Sequence, residues 1–263
     1  MDAQALQLAF RRSPFVRHFF FYPEIGSTND RARELASLGA DEGTLVIAEA
    51  QSAGRGRGDR VWHSPPGKGI YVSMLFRPRV SPEAGFGVLA AVSLGAAAAV
   101  ETLAPGTGIA VKWPNDLFVG SRKLGGLLSE IGTSGGLLDW VVVGLGLNVN
   151  QAEGDFPEEL RERATSVRLE EGCEIDRVRL LTLLVDRTAA LYAAFREGGM
   201  EAVLPEWRRR SSVLGRQVRV ETAGETYLGT AAAVEDNGAL RVRLEGGAEE
   251  VVHVGDVQLV QFR

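Results

Sequence analysis

The sequence predicts an α+β protein in which a domain built on a mixed sheet precedes a small antiparallel β domain. Apolar, β-branched runs such as Thr44 to Glu49 and Gly69 to Phe76 alternate with helical segments through residues 19–212. After Leu214 the pattern changes to short strands separated by Asn-Gly and Gly-Gly turns. A chain of 263 residues, 45% hydrophobic, is long enough for one large domain and a small one. We expect domains at residues 1–212 and 213–263.

The first half of the larger domain predicts three strands and two helices. Ser27 and Asp30 have the spacing of a helix N-cap, and the apolar positions that follow continue until Gly39. The Ala-, Val- and Leu-rich segment predicts a long buried helix that Pro105-Gly106 terminates. The predicted strands are Phe19 to Tyr22, Thr44 to Glu49 and Gly69 to Phe76, and the long helix spans Glu83 to Leu103.

The second half of the chain predicts more strands, then two helices, then the small β domain. Asp176 can cap one helix, and a shorter helix is expected over Met200 to Arg210. Further strands of the larger domain are predicted at Ile109 to Lys112, Leu117 to Val119, Lys123 to Glu130 and Trp140 to Leu145. The small domain has Gln217 to Glu221, Tyr227 to Val234, Ala239 to Leu244 and Glu249 to Val254, which predict an antiparallel barrel packed against the first domain.

Composition excludes several classes of protein. A net charge of −5 argues against a general nucleic-acid binder, which needs a basic face for phosphate contacts. A single cysteine, Cys173, provides neither a disulfide framework nor a thiolate metal site, and the three histidines are too scattered to predict a metal cluster. The N-terminal region lacks the long apolar run of a signal peptide or membrane span. We expect a soluble, cytoplasmic protein that binds no metal of its own.

The segment from Gln51 to Trp62 has an unusual composition for a connection between two strands. It carries Arg55, Arg57 and Arg60 among several glycines. Glycines let backbone N–H groups approach an anion, and guanidinium groups match carboxylates and phosphates. The sequence favours an anion-binding loop, although a flexible, solvated surface loop would have a similar composition.

Three further polar clusters follow strand ends or open helices. They are Ser27-Thr28-Asn29, Lys112 to Asp116 together with Lys123, and Asn148. Each has a simple structural explanation, such as a helix cap or a turn, but strand ends converge on a cleft, so we expect the four clusters to share one site. The sequence has no P-loop, no dinucleotide-binding motif and no nucleophile with a histidine partner. These absences favour direct displacement, catalysed by positioning and charge neutralisation.

The motifs GRGRGDRVW, KWPND, RKLGGLLSE and GLGLNVN, in this order, resemble those of the biotin protein ligases. The resemblance covers the chain from about Phe19 onward. It implies a catalytic domain similar to class II aminoacyl-tRNA synthetases, followed by an SH3-like barrel. It also implies synthesis of biotinyl-5′-AMP from biotin and ATP with release of pyrophosphate, with Mg²⁺ on the phosphates. Biotin then passes to one lysine of a biotin carboxyl carrier protein, the acetyl-CoA carboxylase subunit. The resemblance further implies a homodimer.

The resemblance also implies roles for individual residues. The biotin-binding residues would be Ser27, Thr28, Asn29, Gln51, Arg55, Gly56, Arg57 and Lys123, and the ATP-binding residues Arg55, Trp62, Lys112, Asn115 and Asn148. The catalytic residues would be Arg57, Lys112, Lys123 and Asp116. Asp116 would orient and help deprotonate the incoming lysine. The loop from Gly54 to Arg60 is expected to be mobile without ligand and to order over the adenylate.

Two departures from the family pattern bear on this interpretation. Gly58-Asp59 stands where the family loop often has Arg-Gly, which lowers the local positive charge and predicts weaker loop closure. Few residues precede the first strand, so no DNA-binding helix-turn-helix and no repressor role are expected. Two alternatives remain open at this point: a lipoate or octanoate ligase of the same fold, and a non-enzymatic, biotin-sensing regulator.

Overall fold

A computed structural model describes residues 1–260 as two sheets with helices packed mainly on the first. The first sheet has seven strands in the order β1-β2-β3-β7-β6-β5-β4. Its members are β1 (His18–Tyr22), β2 (Thr44–Ala48), β3 (Ile70–Phe76), β4 (Ile109–Lys112), β5 (Asp116–Val119), β6 (Arg122–Ser134) and β7 (Leu137–Leu147). Strands β1 and β2 are parallel, and the other neighbours are antiparallel. The predicted α+β fold with a mixed sheet is therefore confirmed.

Six α-helices accompany the sheets in the described part of the chain. They are α1 (Ala3–Phe10), α2 (Thr28–Ser37), α3 (Phe86–Leu103), α4 (Val167–Glu171), α5 (Arg177–Gly198) and α6 (Leu204–Arg209). Helices α3 and α5 pack closely at Gly95. A Cβ built on this residue would lie 2.3 Å from Thr188 Oγ1, so only glycine leaves room for the contact. The segment Pro82–Leu103 is long and apolar enough to pass for a membrane span, yet 72% of its apolar window is buried inside this fold, as in a core helix.

The two faces of the first sheet are covered differently, and this difference creates the site. One face packs into the main core with α3 and α5. On the other face Val46, Leu75 and Val142 pack against Ala32 and Ala36 of α2. Helix α2 has only ten residues, so it covers only part of that face. Beyond its N-terminus the face remains open as a cleft.

The second sheet is antiparallel and has the strand order β11-β10-β9-β8-β12. Its strands are β8 (Gln217–Glu221), β9 (Thr226–Val234), β10 (Leu240–Leu244), β11 (Glu249–Val252) and β12 (Asp256–Leu259). It packs against the first part of the chain, as predicted: Trp113 Nε1 donates a hydrogen bond to the Gly238 carbonyl over 2.8 Å. Strand β12 was not predicted, and within residues 1–260 strands β11 and β12 form the two edges of this sheet.

Several predicted boundaries are corrected. The helix expected from Glu83 begins at Phe86 after a 3₁₀ turn, and the helix expected over Met200 to Arg210 is a 3₁₀ turn followed by α6. Pro205 lies in the first turn of α6, where a missing N–H costs nothing and a new helix begins. Strands β6 and β7 are longer than predicted because Gly135-Gly136, both at positive φ, joins them in a hairpin. Helices α1 and α4 were not predicted.

Candidate active site

A cleft of about 840 Å³ opens on the α2 face of the first sheet and reaches the edge of the second sheet. Its floor is strands β6 and β7, and one wall is the N-terminus of α2. The cleft brings together every residue that the sequence predicted for the site: Ser27, Thr28, Asn29, Gln51, Arg55, Gly56, Arg57, Trp62, Lys112, Asn115, Asp116, Lys123 and Asn148. The four clusters, separated along the sequence, therefore share one cavity.

The cleft is locally basic in a chain whose net charge is −5. Its lining has six cationic side chains, Arg55, Arg57, Arg60, Lys112, Lys123 and Arg163, but only three carboxylates, Asp116, Glu221 and Asp256. The net charge of the lining side chains is thus +3. In a partly enclosed cavity such a surplus attracts and concentrates anions.

One end of the cleft is neutral and consists of hydroxyl and amide groups. Gln51 Oε1 accepts hydrogen bonds from Thr28 N over 2.8 Å and from Thr28 Oγ1 over 3.1 Å, while Gln51 Nε2 donates to Ser64 Oγ over 3.0 Å. Ser27 caps α2 through Asp30 N. Ser27 and Thr28 are only 4% exposed. This end is therefore a rigid set of uncharged donors and acceptors.

Asn29 is held from three sides behind this neutral end. Its Nδ2 donates to Glu130 Oε2 over 2.8 Å and to the Leu128 carbonyl, and its Oδ1 accepts from Ser73 Oγ over 2.8 Å. Ser73 is fully buried and also lies 2.9 Å from Thr28 Oγ1. With its amide engaged in this way, Asn29 contributes mainly by fixing its neighbours.

Lys123 and Asp116 form an ion pair at the centre of the cationic region. Lys123 Nζ lies 2.6 Å from Asp116 Oδ1 and 5.5 Å from the centre of the Trp62 ring. Lys112 lies nearby, with its Nζ 5.1 Å from the centre of the Phe118 ring. Burial lowers the pKa of Lys112, and the negative charge of Asp116 partly opposes this effect. Both lysines can therefore face an anion from within the cleft.

Trp62 and Asn148 line the adjoining wall. A Cβ built on Gly146 would lie 2.3 Å from Trp62 Nε1, so the indole rests directly on the backbone of β7. Within residues 1–260, Trp62 Nε1 is buried without a hydrogen-bond partner. Asn148 donates to the Thr165 carbonyl and accepts from Gln151 Nε2. Trp62 thus offers an unused donor, whereas Asn148 braces the loop after β7.

The Arg-rich loop, which spans Gly54 to Trp62, folds into a small hairpin and is not an irregular, extended loop. Trp62 N donates to the Gly54 carbonyl over 2.9 Å, and Gly56 N donates to the Arg60 carbonyl over 2.7 Å. Arg55 Nη1 lies 2.7 Å from Asp30 Oδ1 and 3.1 Å from Glu130 Oε1. Arg57 and Arg60 are directed instead at β12 of the second sheet.

Four residues of the site were not predicted from the sequence. Ser73 and Glu130 lie on strands and support Asn29, so only their contacts across the sheet reveal them. Arg163 lines the cleft, and its carbonyl accepts a 2.7 Å hydrogen bond from Lys123 N. Within residues 1–260 its guanidinium forms no hydrogen bond or ion pair. Asp256 reaches the cleft from the second sheet, and the unpredicted strand β12 is what positions it.

The donor groups suit a Mg²⁺ ion that arrives with phosphates better than a resident metal site. No group of three or more His, Cys, Asp or Glu residues that could hold a metal occurs in the described residues. Asp116 is the carboxylate that lies among the lysines of the cleft. Mg²⁺ commonly binds substrate phosphates and water together with only one or two protein carboxylates, so an ion that arrives with the phosphates does not need a preformed protein site.

Comparison with known proteins identifies the family. Residues 22–148 match the model of the biotin/lipoate A/B protein ligase family, and residues 213–260 match the biotin protein ligase C-terminal domain. A biotin–[acetyl-CoA-carboxylase] ligase from Mycobacterium tuberculosis is 36% identical over 243 residues, covering 89% of this chain and 86% of that protein. The chain belongs to the biotin protein ligase family.

Other biotin protein ligases support the assignment over most of the chain. The bifunctional ligase/repressor BirA of Bacillus spizizenii is 33% identical, with 92% of this chain and 74% of that protein covered. Among solved structures, a biotin protein ligase from Aquifex aeolicus in complex with biotin and ATP superposes with a TM-score of 0.78 at 26% identity. That superposition covers 94% of this chain and all of the other.

Proposed function

We propose that this chain activates biotin with ATP, forming biotinyl-5′-AMP and pyrophosphate, and then transfers biotin to a lysine of a biotin carboxyl carrier protein. The observation that carries the proposal is the division of one cleft into two parts. A neutral end around Ser27, Thr28 and Gln51 adjoins a cationic region around Lys112 and Lys123. Biotin has the same division, with an uncharged ureido ring at one end and a carboxylate at the other.

In the first step the biotin carboxylate attacks the α-phosphorus of ATP, and the bond to the pyrophosphate oxygen breaks. The step brings two anions together, and their repulsion in a partly enclosed site is strong unless fixed cations offset it. Lys112, Lys123 and Arg57 are proposed to provide that charge. Arg163 adds a further cation at the rim, close to Lys123. Mg²⁺ bound to the phosphates would reduce the repulsion further.

In the second step the amine of the carrier lysine attacks the mixed anhydride, an amide bond forms, and AMP leaves. At a pKa of about 10.4 roughly one lysine in a few thousand is neutral at pH 7, so a group that accepts its proton accelerates the step. Asp116 is proposed for this role. The ion pair of Asp116 with Lys123, at 2.6 Å, supports this role, because Lys123 is the cation proposed to hold the anhydride.

The other residues divide between the two ends of the substrate. Ser27, Thr28 and Gln51 are proposed to satisfy the ureido ring, with Asn29 fixing their positions. Trp62 and Asn115 are proposed to shape the adenosine site, and Asn148 to brace it. Arg55 and Gly56 belong to the loop that covers the intermediate. In this arrangement Arg55 acts by tying the loop to Asp30 and Glu130.

The organisation of the chain is proposed on the same basis. Residues 1–212 would form the catalytic domain, with a fold similar to class II aminoacyl-tRNA synthetases, and residues 213–263 an SH3-like barrel. A cytoplasmic homodimer is proposed, without nucleic acid or membrane as a partner. The outer half of β6 supports the dimer: β6 pairs with β5 only from Arg122 to Gly126, so within residues 1–260 the rest of this edge of β6 has no neighbouring strand and can pair with a second copy.

The test is incubation with biotin, ATP and Mg²⁺, followed by native mass spectrometry for bound biotinyl-AMP and measurement of pyrophosphate. Lipoate and octanoate run in parallel distinguish the two branches of the matched family, because neither acid carries a ureido ring for the neutral end of the cleft. We expect pyrophosphate release with biotin and an adduct with the mass of biotinyl-AMP. Release with lipoate but not with biotin would overturn the proposal.

A further inference from the structure

The tip of the Arg-rich loop is attached to the second sheet through one carboxylate. Arg60 Nη2 lies 2.8 Å from Asp256 Oδ1, and Arg57 Nη1 lies 3.5 Å from the same oxygen. Arg57 Nη1 also donates to the Gly255 carbonyl over 3.0 Å. Asp256 is the first residue of β12 and lies opposite Glu221 of β8 in the ladder. The contact therefore joins a loop of the first sheet to a strand that is itself held in the second.

The loop has few other attachments at this end. Its hairpin hydrogen bonds run within the loop, from Gly56 N to the Arg60 carbonyl and from Trp62 N to the Gly54 carbonyl. They fix its shape but not its position over the cleft. Asp59, beside Arg60, is exposed and makes no hydrogen bond or ion pair with the rest of residues 1–260. The position of the loop tip over the cleft thus depends on Arg57 and Arg60, and both of them contact Asp256.

Asp256 is also poorly suited to bind the substrates directly. A carboxylate repels the phosphates and the biotin carboxylate, and the negative charge of Asp256 is close enough to Lys112 to oppose the lowering of its pKa by burial. Its presence in a cleft of net positive charge needs an explanation other than ligand contact. Neutralising the two loop arginines provides one.

We propose that Asp256 is a positioning residue that holds the loop from Gly54 to Trp62 closed over the cleft and thereby slows the escape of the activated intermediate. The second half rests on the proposed function. Arg57 has two partners and can turn to a phosphate while Arg60 keeps the attachment. This attachment compensates for Gly58-Asp59, which reduces the positive charge that the loop itself offers to an adenylate.

The first arm of the experiment tests the attachment without any ligand. Hydrogen–deuterium exchange of the peptide that spans Gly54 to Trp62 is compared between the wild type and Asp256→Asn, which preserves the shape of the side chain. A half-exposed ion pair of this kind contributes modestly, so we expect exchange to rise about fivefold in the variant. Glu245→Gln, which removes one exposed carboxylate from the turn after β10, outside both the loop and the cleft, is the control and should exchange like the wild type.

The second arm measures the consequence. The complex with isotope-labelled biotinyl-AMP is isolated and mixed with excess unlabelled biotinyl-AMP, and loss of the label is followed. We expect the label to leave about fivefold faster from Asp256→Asn than from wild type or Glu245→Gln, as weakening of a half-exposed ion pair implies. The charge exchange Arg60→Asp with Asp256→Arg should restore slow exchange and slow escape in part, because it re-forms the pair with position 60 but not the one with Arg57, whereas either change alone should restore neither.

The two arms separate the possible failures. Unchanged loop exchange in Asp256→Asn overturns the inference. Faster exchange with an unchanged rate of escape also overturns it, because the attachment would then not govern retention. If the wild type binds no biotinyl-AMP, the proposed function fails, and the first arm still decides whether Asp256 holds the loop.

Discussion

Lys123 and Asp116 share one side of the sheet because an irregularity in strand pairing places them there. Asp116 pairs with Gly126 and Leu117 with Gly125, but Phe118 pairs with Lys123, so Leu124 is an extra residue in β6. A bulge of this kind shifts the alternation of side chains by one position. Lys123 therefore points to the same side as Asp116, at 2.6 Å. A regular strand would direct Lys123 to the opposite face of the sheet.

This pairing makes the role of Asp116 testable. In Asp116→Asn we expect transfer from preformed biotinyl-AMP to fall about a hundredfold at pH 7, because the amide cannot take a proton from the carrier lysine. The deficit should shrink as pH rises and more lysine is neutral. Adenylation should fall less, since Lys123 keeps its charge. Single-turnover measurements of the two half-reactions between pH 7 and 9 provide the check.

The control for this experiment is Asp41→Asn, which removes a carboxylate that is 75% exposed and lies outside the cleft. Its two half-reactions should match the wild type. Equal losses in both half-reactions of Asp116→Asn at every pH would mean that Asp116 only positions Lys123 and does not accept the proton.

A second prediction concerns Gly144, which lies under the neutral end of the cleft. A Cβ at this position would lie 2.1 Å from Asn29 Oδ1 and 3.2 Å from Ser73 Oγ. Alanine is otherwise no worse than glycine inside a strand, so any loss should come from this collision. We expect Gly144→Ala to weaken biotin binding at least about tenfold, the effect of losing roughly one to two buried hydrogen bonds. Binding of ATP should change little.

Titration calorimetry with biotin and with ATP measures both effects. Gly154→Ala is the matched control, because no atom lies within 4 Å of the added Cβ there. Wild-type biotin affinity in Gly144→Ala would indicate that Asn29 can shift without disturbing Thr28 and Gln51, and that its fixed position is not required.

The sequence predicted the residues of the cleft better than the contacts that organise it. Motifs expose residues such as Lys112 and Gln51, because a cation or amide at a strand end has little use in a core. The support from Ser73 and Glu130 could not be predicted, since a single serine or glutamate on a strand is common and its partner lies far away in sequence. The bulge at Leu124 leaves no distinct signal beside the glycines that follow it.

The second sheet illustrates the same limit. Alternation of Leu240, Arg241 and Val242 and the Asn-Gly turn predicted its strands well. Strand β12 is only four residues long and follows a glycine, and only Val257 and Leu259 in it are apolar. The local sequence pattern therefore did not identify it as a strand. Its pairing with β8, which brings Asp256 to the cleft, depends on the assembled sheet.

A third prediction concerns Arg163, the exposed cation at the rim of the cleft. Its carbonyl is tied to Lys123 N, so the side chain starts close to the region proposed for the phosphates. We expect Arg163→Gln to raise the KM for ATP about tenfold while leaving that for biotin nearly unchanged, because one charge-assisted contact to phosphate is lost. Initial rates of pyrophosphate release at varied ATP and biotin measure the two constants.

Arg179→Gln is the control, since it removes the same charge from an exposed position on α5 outside the cleft. Rising salt should weaken ATP binding in the wild type more than in Arg163→Gln, because an exposed charge contact is screened. An equal rise in both KM values would instead indicate that Arg163 supports the cleft as a whole.

The last prediction concerns the ion pairs of Arg210, which lies just before the first strand of the second sheet in the sequence. Arg210 Nη1 lies 2.6 Å from Glu101 Oε1 of α3, and Arg210 Nε lies 2.7 Å from Glu206 Oε1 of α6. Hydrogen bonds from Arg209 and then Arg210 lower the pKa of Glu206 from its ordinary 4.5 to about 2, with burial opposing them. Because the folded-state pKa lies below the unfolded value, the folded protein binds its proton less tightly.

The sign of the effect follows from this difference. The stabilisation by Glu206 is fully present above about pH 4.5 and is lost as pH falls toward 2. We therefore expect wild type to have a higher Tm than Glu206→Gln at pH 6, and the gap to close as pH falls through this window. Thermal unfolding followed by circular dichroism measures it, with Glu197→Gln, exposed on α5, as control. A gap that stays constant between pH 6 and pH 2.5 would show that the Glu206 charge does not stabilise the fold, and that any loss in Glu206→Gln comes from packing alone.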